Sequence, residues 1–181
     1  DFTITNISGQ SFPEDIASPL IHLDGVRAVS GSLNRTINLP ADYIDGEPGQ
    51  PDRLKVVNLV GIVPEQARSV RAYPVVEGRY LKTSDTNAAV ISQTLADALS
   101  VSVGGNFSLP TPGGITTLTV VGLLPGNISN STEEVNVNLP QAQAMTGEAG
   151  KINLISLNVE AFAGQTRRAE IQNKMEAILG D

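Results

Sequence analysis

A β-rich stretch in the middle of the chain, Val75 to Gly126, most constrains the fold that we predict. Its apolar runs predict several short strands, and its one helical pattern covers Ser92 to Leu99. The Gly113-Gly114 pair, which follows Pro112, predicts a hairpin turn. Because strands dominate and the helix is short, we expect this part of the chain to form a compact β-rich unit.

Three further strands are predicted before this stretch. Near alternation of apolar residues predicts a strand over residues 1–8. A longer alternating run predicts a strand over Val26 to Leu39, with a bulge at Gly31. A dense apolar run predicts another strand over Leu54 to Val63, and the polar residues 64–72 that follow fit a short helix or a loop.

One helix is predicted between the first two of these strands. Ser11 and Glu14 have the spacing of a capping box, with Ser11 as the N-cap. Apolar residues then recur at helical spacing, which predicts a helix over residues 12–23. Pro19 removes a backbone donor and crowds the preceding turn, so we expect a kink near it.

The chain after the β-rich stretch predicts a strand, a helix, a strand and a final helix. Clean alternation predicts a strand over Val135 to Leu139. A short helix then begins at Pro140 and stops at Gly147. Alternating apolar residues predict a strand over Lys151 to Val159, and apolar residues at helical spacing predict a helix over Arg167 to Leu179.

This order of elements predicts an α+β fold with two lobes. Two strand–helix–strand halves around one sheet make a ferredoxin-like, split βαβ lobe, formed by residues 1–72 and 135–181. Residues 73–134 then form a small β-rich lobe, with one short helix, inserted between the halves.

The composition excludes some classes of function. Of the 181 residues 40% are apolar, which is enough for a sizeable core. A net charge of −7 argues against a nucleic-acid partner and against an anionic membrane surface. Aromatic residues make up only 4% and Trp is absent, so ring-stacking surfaces for bases or sugars are poorly supplied.

The residues that usually carry chemistry do not form a recognisable site. His22 is the only histidine and there is no cysteine, so ligands for a transition metal are scarce. The loop acids Asp42, Asp45, Glu47 and Asp52 lack the pattern of a calcium loop, which favours a solvated loop. We therefore predict no catalytic residue, no metal ligand and no cofactor. A hydrolase built on two facing carboxylates remains open, because sequence cannot place such a pair.

Two apolar residues in the loop after the second strand are the candidate contact site. Tyr43 and Ile44 are the only large apolar residues between positions 40 and 53. Exposed anchors of this kind hold partner proteins. The alternative is that both side chains pack against their own domain.

The order of these pieces resembles the extracytoplasmic core domain of MacB-type and FtsX-like ABC transporter permeases. Six places along nearly the whole chain carry the resemblance, and their order and spacing matter more than any one motif. They are Gly25-Val26; Glu77-Gly78-Arg79-Tyr80-Leu81 with Asp85; Ala89-Val90-Ile91-Ser92 leading to Leu95-Ala96-Asp97-Ala98-Leu99; Val103-Gly104; Val120-Val121-Gly122; and Asn138-Leu139-Pro140 with the strand Asn153 to Val159.

The resemblance implies a non-enzymatic part of a transporter, outside the bacterial cell membrane, between the first two transmembrane helices. Such a domain transmits motion and contacts partner or substrate. The implied partners are a cognate ATPase subunit or domain, reached through a membrane part that this chain lacks, a second permease protomer, and an extracytoplasmic protein. A stand-alone secreted binding or adhesion module is the alternative.

The resemblance also sets an expectation for the two ends of the chain. The sequence starts at Asp1 without Met, which suggests a mature protein or a piece of a longer one. An insertion between two membrane helices requires both ends to leave from one face. We therefore expect Asp1 and Asp181 to lie at the base of the ferredoxin-like lobe, within about 30 Å of each other.

Overall fold

The computed structural model describes residues 2–44, 54–126, 132–160 and 164–179. The strands, in chain order, are β1 (Phe2–Thr5), β2 (Phe12–Pro13), β3 (Val26–Asn38), β4 (Val56–Ile62), β5 (Glu77–Gly78), β6 (Ala88–Ser92), β7 (Asn106–Thr111), β8 (Gly114–Leu124), β9 (Glu133–Asn138), β10 (Lys151–Ile152) and β11 (Leu154–Val159). The helices are a 3-10 helix (Glu14–His22), α1 (Pro64–Val70), α2 (Gln93–Ala98), α3 (Leu139–Thr146) and α4 (Gln165–Leu179).

A large mixed sheet of nine strands organises the described part of the chain. Its order is β1-β11-β3-β4-β9-β6-β8-β5, and β7 also pairs with β8. The pairs β4–β9 and β6–β8 are parallel, and the other pairs are antiparallel. β2 and β10 form a small separate antiparallel sheet. The fold is therefore mixed α+β, with one large and one two-stranded sheet.

Two crossovers place helices on this sheet. In the first crossover the 3-10 helix lies between β1 and β3 in the chain. Both strands pair with β11, so β11 lies between them in the sheet and splits this strand–helix–strand unit. The second crossover runs from β9 through α3 to β11, and it passes over two strands, β4 and β3. Strands from the two ends of the chain therefore interleave in one sheet.

Apolar side chains cover both faces of the sheet. On one face the 3-10 helix, α2, α3 and α4 add side chains such as Leu20, Leu95, Met145 and Ile171 to the main core. On the other face α1 and the chain around Tyr80 cover a smaller cluster of buried residues. Alternation along the strands explains this division, because successive side chains point to opposite faces.

The helix predicted over residues 12–23 is present in a different form. Residues 14–22 form a 3-10 helix with Pro19 inside it, and Pro13 precedes them in the short strand β2. The Ser11 capping box is wrong, since no side chain caps this helix and the Ser11 hydroxyl instead contacts Glu148 and Arg35. The Ser11 hydroxyl therefore bonds to the Arg35–Glu148 ion pair instead of to the backbone at the start of the helix.

The predicted bulge at Gly31 is also wrong. Gly31 is in regular register with Ile155, and the irregularity of this strand pair lies where Val26 pairs with Val159. A Cβ at Gly31 would lie 2.8 Å from Ile152 Cδ1. Close approach of the Ile152 side chain, rather than a bulge, explains the glycine.

The strand predicted over Lys151 to Val159 is broken at Asn153. The Asn153 side chain takes the place of ladder bonds: its Nδ2 donates to Asn34 O at 2.8 Å, and its Oδ1 accepts from Asn34 N at 2.8 Å. The two residues before it, β10, turn away and pair with β2. The rest, β11, enters the large sheet.

The two predicted lobes are joined in the sheet by the pairing of β6 with β9. Only two residue pairs join these strands, Val90 with Asn136 and Ile91 with Val135. β4 and β8 belong to the same sheet but are not neighbours, since β9 and β6 lie between them. The division into residues 1–72 with 135–181 and residues 73–134 stays a prediction.

Candidate functional site

A groove of about 380 Å³ lies on the face of the sheet that α1 partly covers. We call it the sheet groove. Its floor is formed by hydroxyl and amide side chains from three strands at one end of the sheet. These are Thr3, Ser30, Ser32, Asn34, Ser156 and Asn158.

Strand register puts three of these hydroxyls in one row. Thr3 of β1 pairs with Ser156 of β11, and Ser156 pairs with Ser30 of β3. Neighbouring strands lie about 4.8 Å apart, so the row presents a hydroxyl at each such step across the sheet. The groove floor is therefore a regular, uncharged array of hydrogen-bonding groups.

One polar atom of the floor is buried without a partner among the described residues. This atom is Asn34 Oδ1. Ser30 is 4% exposed and Ser32 is 7% exposed, and both residues line the groove. Buried polar groups are usually paired, so Asn34 Oδ1 has unused hydrogen-bonding capacity at the groove.

The wall of the groove is fixed by the end of α1. Asn158 Nδ2 donates to Val70 O at 3.1 Å, which holds the last turn of this helix against β11. Tyr73 of the following segment supplies an aromatic ring to this wall, whereas the Phe2 ring packs against the main core on the other face of the sheet. The wall is thus partly apolar, while the floor is polar.

One pair of opposite charges lies at the rim. Arg71 Nη1 is 3.8 Å from Glu134 Oε2, and the Arg71 guanidinium lies 5.1 Å from the centroid of the Tyr73 ring. The Tyr73 ring is 4.9 Å from the Tyr80 ring, and burial raises the pKa of Tyr73. Tyr73 is therefore neutral at physiological pH, and the rim charges offset each other.

The rim coincides with the two places where the chain crosses the predicted lobe boundary. Residues 71–73 lead out of α1, and residues 132–134 lead into β9. A second cavity of about 270 Å³ is lined by both connections and shares Arg71, Tyr73 and Glu134 with the sheet groove. A ligand in the groove would touch the predicted first lobe and both connections at once.

The chemistry of the sheet groove is that of binding. Its floor consists of neutral hydroxyl and amide groups, and its single acid, Glu134, lies beside Arg71. Among the described residues no three His, Cys, Asp or Glu side chains form a group that could hold a metal ion. The groove can donate and accept hydrogen bonds and pack against rings.

The predicted contact residues Tyr43 and Ile44 lie away from the sheet groove. Tyr43 packs against the main core, and its hydroxyl donates to Ser108 O at 2.5 Å. Burial raises the pKa of Tyr43 to about 12. Ile44 is 36% exposed. The Tyr43 ring is thus engaged by its own domain, and a partner contact at this loop stays a prediction.

The other residues weighed from the sequence are scattered. His22 is exposed at the end of the 3-10 helix, as expected of a helix residue. Asp42 is exposed in a turn, whereas Asp45, Glu47 and Asp52 lie outside the described residues. The structure does not bring His22 and Asp42 into the sheet groove.

Sequence reasoning missed the groove residues, although a signal was present. The alternating set in β3 that contains Val29 and Leu33 points to the core, and the complementary set contains Ser30, Ser32 and Asn34. Polar residues on the outer set of a strand usually face water. Only the pairing with β11 and the position of α1 show that this set lines a groove.

Three solved structures that share this fold are domains of transporters or permeases. The extracellular domain of the noncanonic ABC-type transporter YknZ from Gram-positive bacteria aligns with a TM-score of 0.67 at 16% identity, covering 98% of this chain and 92% of that one. The periplasmic region of MacB from Actinobacillus actinomycetemcomitans aligns with a TM-score of 0.65 at 13% identity, covering 98% and 77%. A domain of a putative permease protein from Porphyromonas gingivalis aligns with a TM-score of 0.56 at 14% identity, covering 90% and 76%.

The fold is therefore that of the extracytoplasmic domains of ABC transporter permeases. The model of the MacB-like periplasmic core domain family matches residues 2–178, and the chain belongs to this family. The resemblance seen in the sequence is thereby confirmed. No curated protein sequence matches the chain significantly. None of the helices in the described residues has the length and apolar character needed to cross a membrane.

Proposed function

We propose that this domain transmits motion between the membrane part of an ABC transporter permease and a partner or substrate outside the membrane. The family match over residues 2–178 is the observation that carries the proposal. Hydrolysis of ATP belongs to a cognate ATPase subunit or domain, which the permease reaches through its membrane part. The domain itself acts without catalysis, at the outer face of the bacterial cell membrane.

The proposed mechanical parts are the two lobes predicted from the sequence. The ferredoxin-like lobe contains the split crossover from β1 to β3 around β11, and residues 73–134 form the inserted lobe. The short ladder between β6 and β9, with two residue pairs, is where one lobe would tilt against the other. Both β1 and α4 belong to the first lobe, which supports chain ends that leave from one base.

The proposed partners follow from the same architecture. A second permease protomer would stand beside the first in the membrane, and an extracytoplasmic protein would contact the exposed surface. Ile44, which is 36% exposed, and the preceding residue Tyr43 are one candidate for that contact. Asp1 and Asp181 lie outside the described residues.

The parent gene provides the first test. A permease requires an apolar segment of about 20 residues near each end of the domain, and an ATPase domain or neighbouring ATPase gene. A complete gene without such segments would instead identify a secreted binding module and overturn the proposal.

Energy transfer between labelled lobes provides the second test. Thr117 on β8 and Lys174 on α4 are both exposed, and a cysteine at each site can carry a dye because this chain has no cysteine of its own. In the full-length permease with its ATPase, we expect ATP to change the transfer efficiency. An ATPase variant that cannot hydrolyse ATP is the control, and an efficiency that ATP leaves unchanged would contradict motion between the lobes.

A further inference from the structure

We infer that the sheet groove is a binding site for a neutral, polyhydroxylated ligand, namely a short oligosaccharide. Nothing in the transport role requires such a site, so the inference stands apart from the proposed function. It rests on the row of hydroxyls, the buried Asn34 Oδ1 without a partner, the Tyr73 ring and the balance of charge in the groove.

The floor matches the chemistry of sugar hydroxyls. Thr3, Ser156 and Ser30 stand in one row across three strands, and each hydroxyl can both donate and accept. Asn34 adds a buried carbonyl oxygen without a partner. A sugar ring carries several hydroxyls that donate and accept at similar separations, so it can pair with several members of this floor.

Burial of part of the floor raises the value of the bonds made there. Ser30 and Ser32 are more than nine-tenths buried, yet both line the groove. A ligand that pairs with Asn34 Oδ1 recovers the interaction which that atom lost when the chain folded. The volume of about 380 Å³ lies within the range of about 300–1,000 Å³ that small-molecule sites occupy.

Although aromatic residues are scarce in this sequence, one of them lies at the groove, where a sugar ring can pack on it. Tyr73 lines the groove, and the faces of sugar rings carry C–H groups that pack on aromatic rings. Tyr73 is held in place between the Arg71 guanidinium and the Tyr80 ring. Its orientation is therefore fixed before a ligand arrives, which lowers the entropic cost of binding.

Charge and backbone geometry disfavour other ligands. Arg71 and Glu134 form an opposed pair at the rim, so neither an anion nor a cation is selected. An extended peptide binds by adding to a sheet edge, where backbone groups are free. The floor here is the face of paired strands, in which β11 lies between β1 and β3. Hydroxyl and amide side chains form the floor, which favours a ligand that is itself rich in hydroxyls.

Free sugars and glycans of the cell envelope share this chemistry, and the test separates them. The 181-residue chain is labelled with ¹⁵N and titrated with cellobiose, maltose or N,N′-diacetylchitobiose to about 10 mM, which detects a dissociation constant of about 1 mM. Co-sedimentation with purified cell-wall glycan, stripped of its peptides, is the envelope arm. An acetylated and amidated Ser-Asn-Ser-Asn peptide is the competing ligand.

The variants remove floor hydroxyls and place a residue of high strand propensity at each position. We expect Ser30→Val with Ser156→Val to weaken sugar binding at least about tenfold, because hydrogen bonds to two hydroxyls are lost. Thr117→Val, which removes an exposed hydroxyl outside the groove, is the matched control and should bind as the wild type does. Arg71→Ala, an exposed rim change that spares the floor, gives a second test should the double variant unfold. We expect it to move the amide shifts of the groove and weaken binding.

The outcomes decide the inference. The inference is supported if a disaccharide or the wall glycan binds, if the double variant or Arg71→Ala weakens that binding, and if Thr117→Val preserves it. The ligand that binds then identifies the source. Absence of binding in every sugar arm, binding of the peptide alone, or sugar binding that none of the groove variants alters would overturn it.

Discussion

Two asparagines on one strand differ in their pairing, and the difference predicts opposite effects of the same substitution. Asn136 is fully buried between Val60 and Val90, and both polar atoms of its side chain lack a partner among the described residues. Asn138, two positions along β9, donates from Nδ2 to Asp85 O at 2.7 Å and to Lys82 O at 2.9 Å, and only its Oδ1 is buried without a partner among the described residues. A buried unpaired amide costs free energy that a paired one does not.

We expect Asn136→Leu to raise the free energy of unfolding by about 1–3 kcal/mol, because it removes an unsatisfied buried amide. Asn138→Leu is the matched change and should lower the free energy of unfolding, since the carbonyls of residues 82 and 85 lose their donor. Urea unfolding at equal pH measures both. A loss of stability in Asn136→Leu equal to that in Asn138→Leu would show that Asn136 is paired in solution.

The charged cluster that replaced the expected capping box makes stability depend on pH. Glu148 accepts from Arg35 Nε at 2.6 Å and from Arg35 Nη2 at 2.7 Å, and it also contacts the Ser11 hydroxyl. The Arg35 guanidinium holds the pKa of Glu148 below its usual value. The folded state therefore binds fewer protons than the unfolded state just below the ordinary glutamate pKa of about 4.3.

The sign of this linkage fixes the prediction. A lowered pKa stabilises the fold above the unfolded pKa, and the contribution is lost as pH falls through the folded pKa. At pH 7 we expect Glu148→Gln to lose about 1.5–3 kcal/mol of unfolding free energy, and this deficit should shrink below about pH 4. Glu77→Gln, at an exposed glutamate on β5, is the control and should follow the wild type. A deficit that does not change between pH 7 and pH 3 would exclude this role for Glu148.

Three local boundary signals were predicted well, whereas the equally local Ser11 capping box was not. Ser92 caps α2 by accepting from Leu95 N at 3.0 Å, as the helix predicted from that residue requires. Gly147 ends α3 in a left-handed conformation with φ of 72°, and Gly113-Gly114 lies in the predicted hairpin. Each signal depends on residues within one turn of the boundary, so a single sequence is enough to find it.

The last helix is attached to the domain by few contacts, and one arginine is central to them. Arg167 donates to Glu160 Oε1 at 2.8 Å and to Asp24 Oδ2 at 2.7 Å, and it also lies 3.3 Å from Glu170. These interactions raise the pKa of Arg167. Only Ile171 and Met175 of α4 are buried. The arginine thus joins the start of α4 to the end of β11 and to the turn before β3.

We expect Arg167→Gln to loosen α4 while the sheet stays intact, because it removes the charges that join the helix to two other elements. Hydrogen exchange should accelerate in residues 165–179 and remain unchanged in β3 and β4. Arg168→Gln is the matched control, because Arg168 is the next residue along the helix and its side chain is exposed. Equal exchange of α4 in both variants would show that Ile171 and Met175 hold the helix without the arginine.

For the whole molecule, the sequence predicted most of the elements but not the order in which they pair. The sequence pattern predicted two lobes. It did not predict that β9 pairs with β6 and that this pairing joins both lobes into one nine-stranded sheet. Strand order depends on contacts between distant residues, such as Ser156 with Ser30, and these leave no signal in a single sequence. The sheet groove was hidden for the same reason, because strand pairing alone assembles its floor.

The main core also extends across the predicted lobe boundary. Leu33 of the first lobe and Leu118 of the inserted lobe belong to one buried cluster. Gly113 N donates to Met145 O at 2.8 Å, which attaches the β7–β8 hairpin to the end of α3. Neither lobe can therefore unfold without exposing apolar surface of the other, and we expect one cooperative transition in urea.

Tyrosine fluorescence can test this cooperativity lobe by lobe. The chain has three tyrosines and no tryptophan, so Tyr43→Phe leaves emission only from Tyr73 and Tyr80, both within the predicted inserted lobe. In that variant, fluorescence should follow the inserted lobe, while far-ultraviolet circular dichroism follows the whole domain. We expect coincident midpoints, as two-state unfolding requires. Asn138→Leu, which cuts bonds between β9 and residues 82–85, should lower both midpoints together. A fluorescence midpoint well separated from the dichroism midpoint would mean that the lobes unfold independently, because the shared core then fails to couple them.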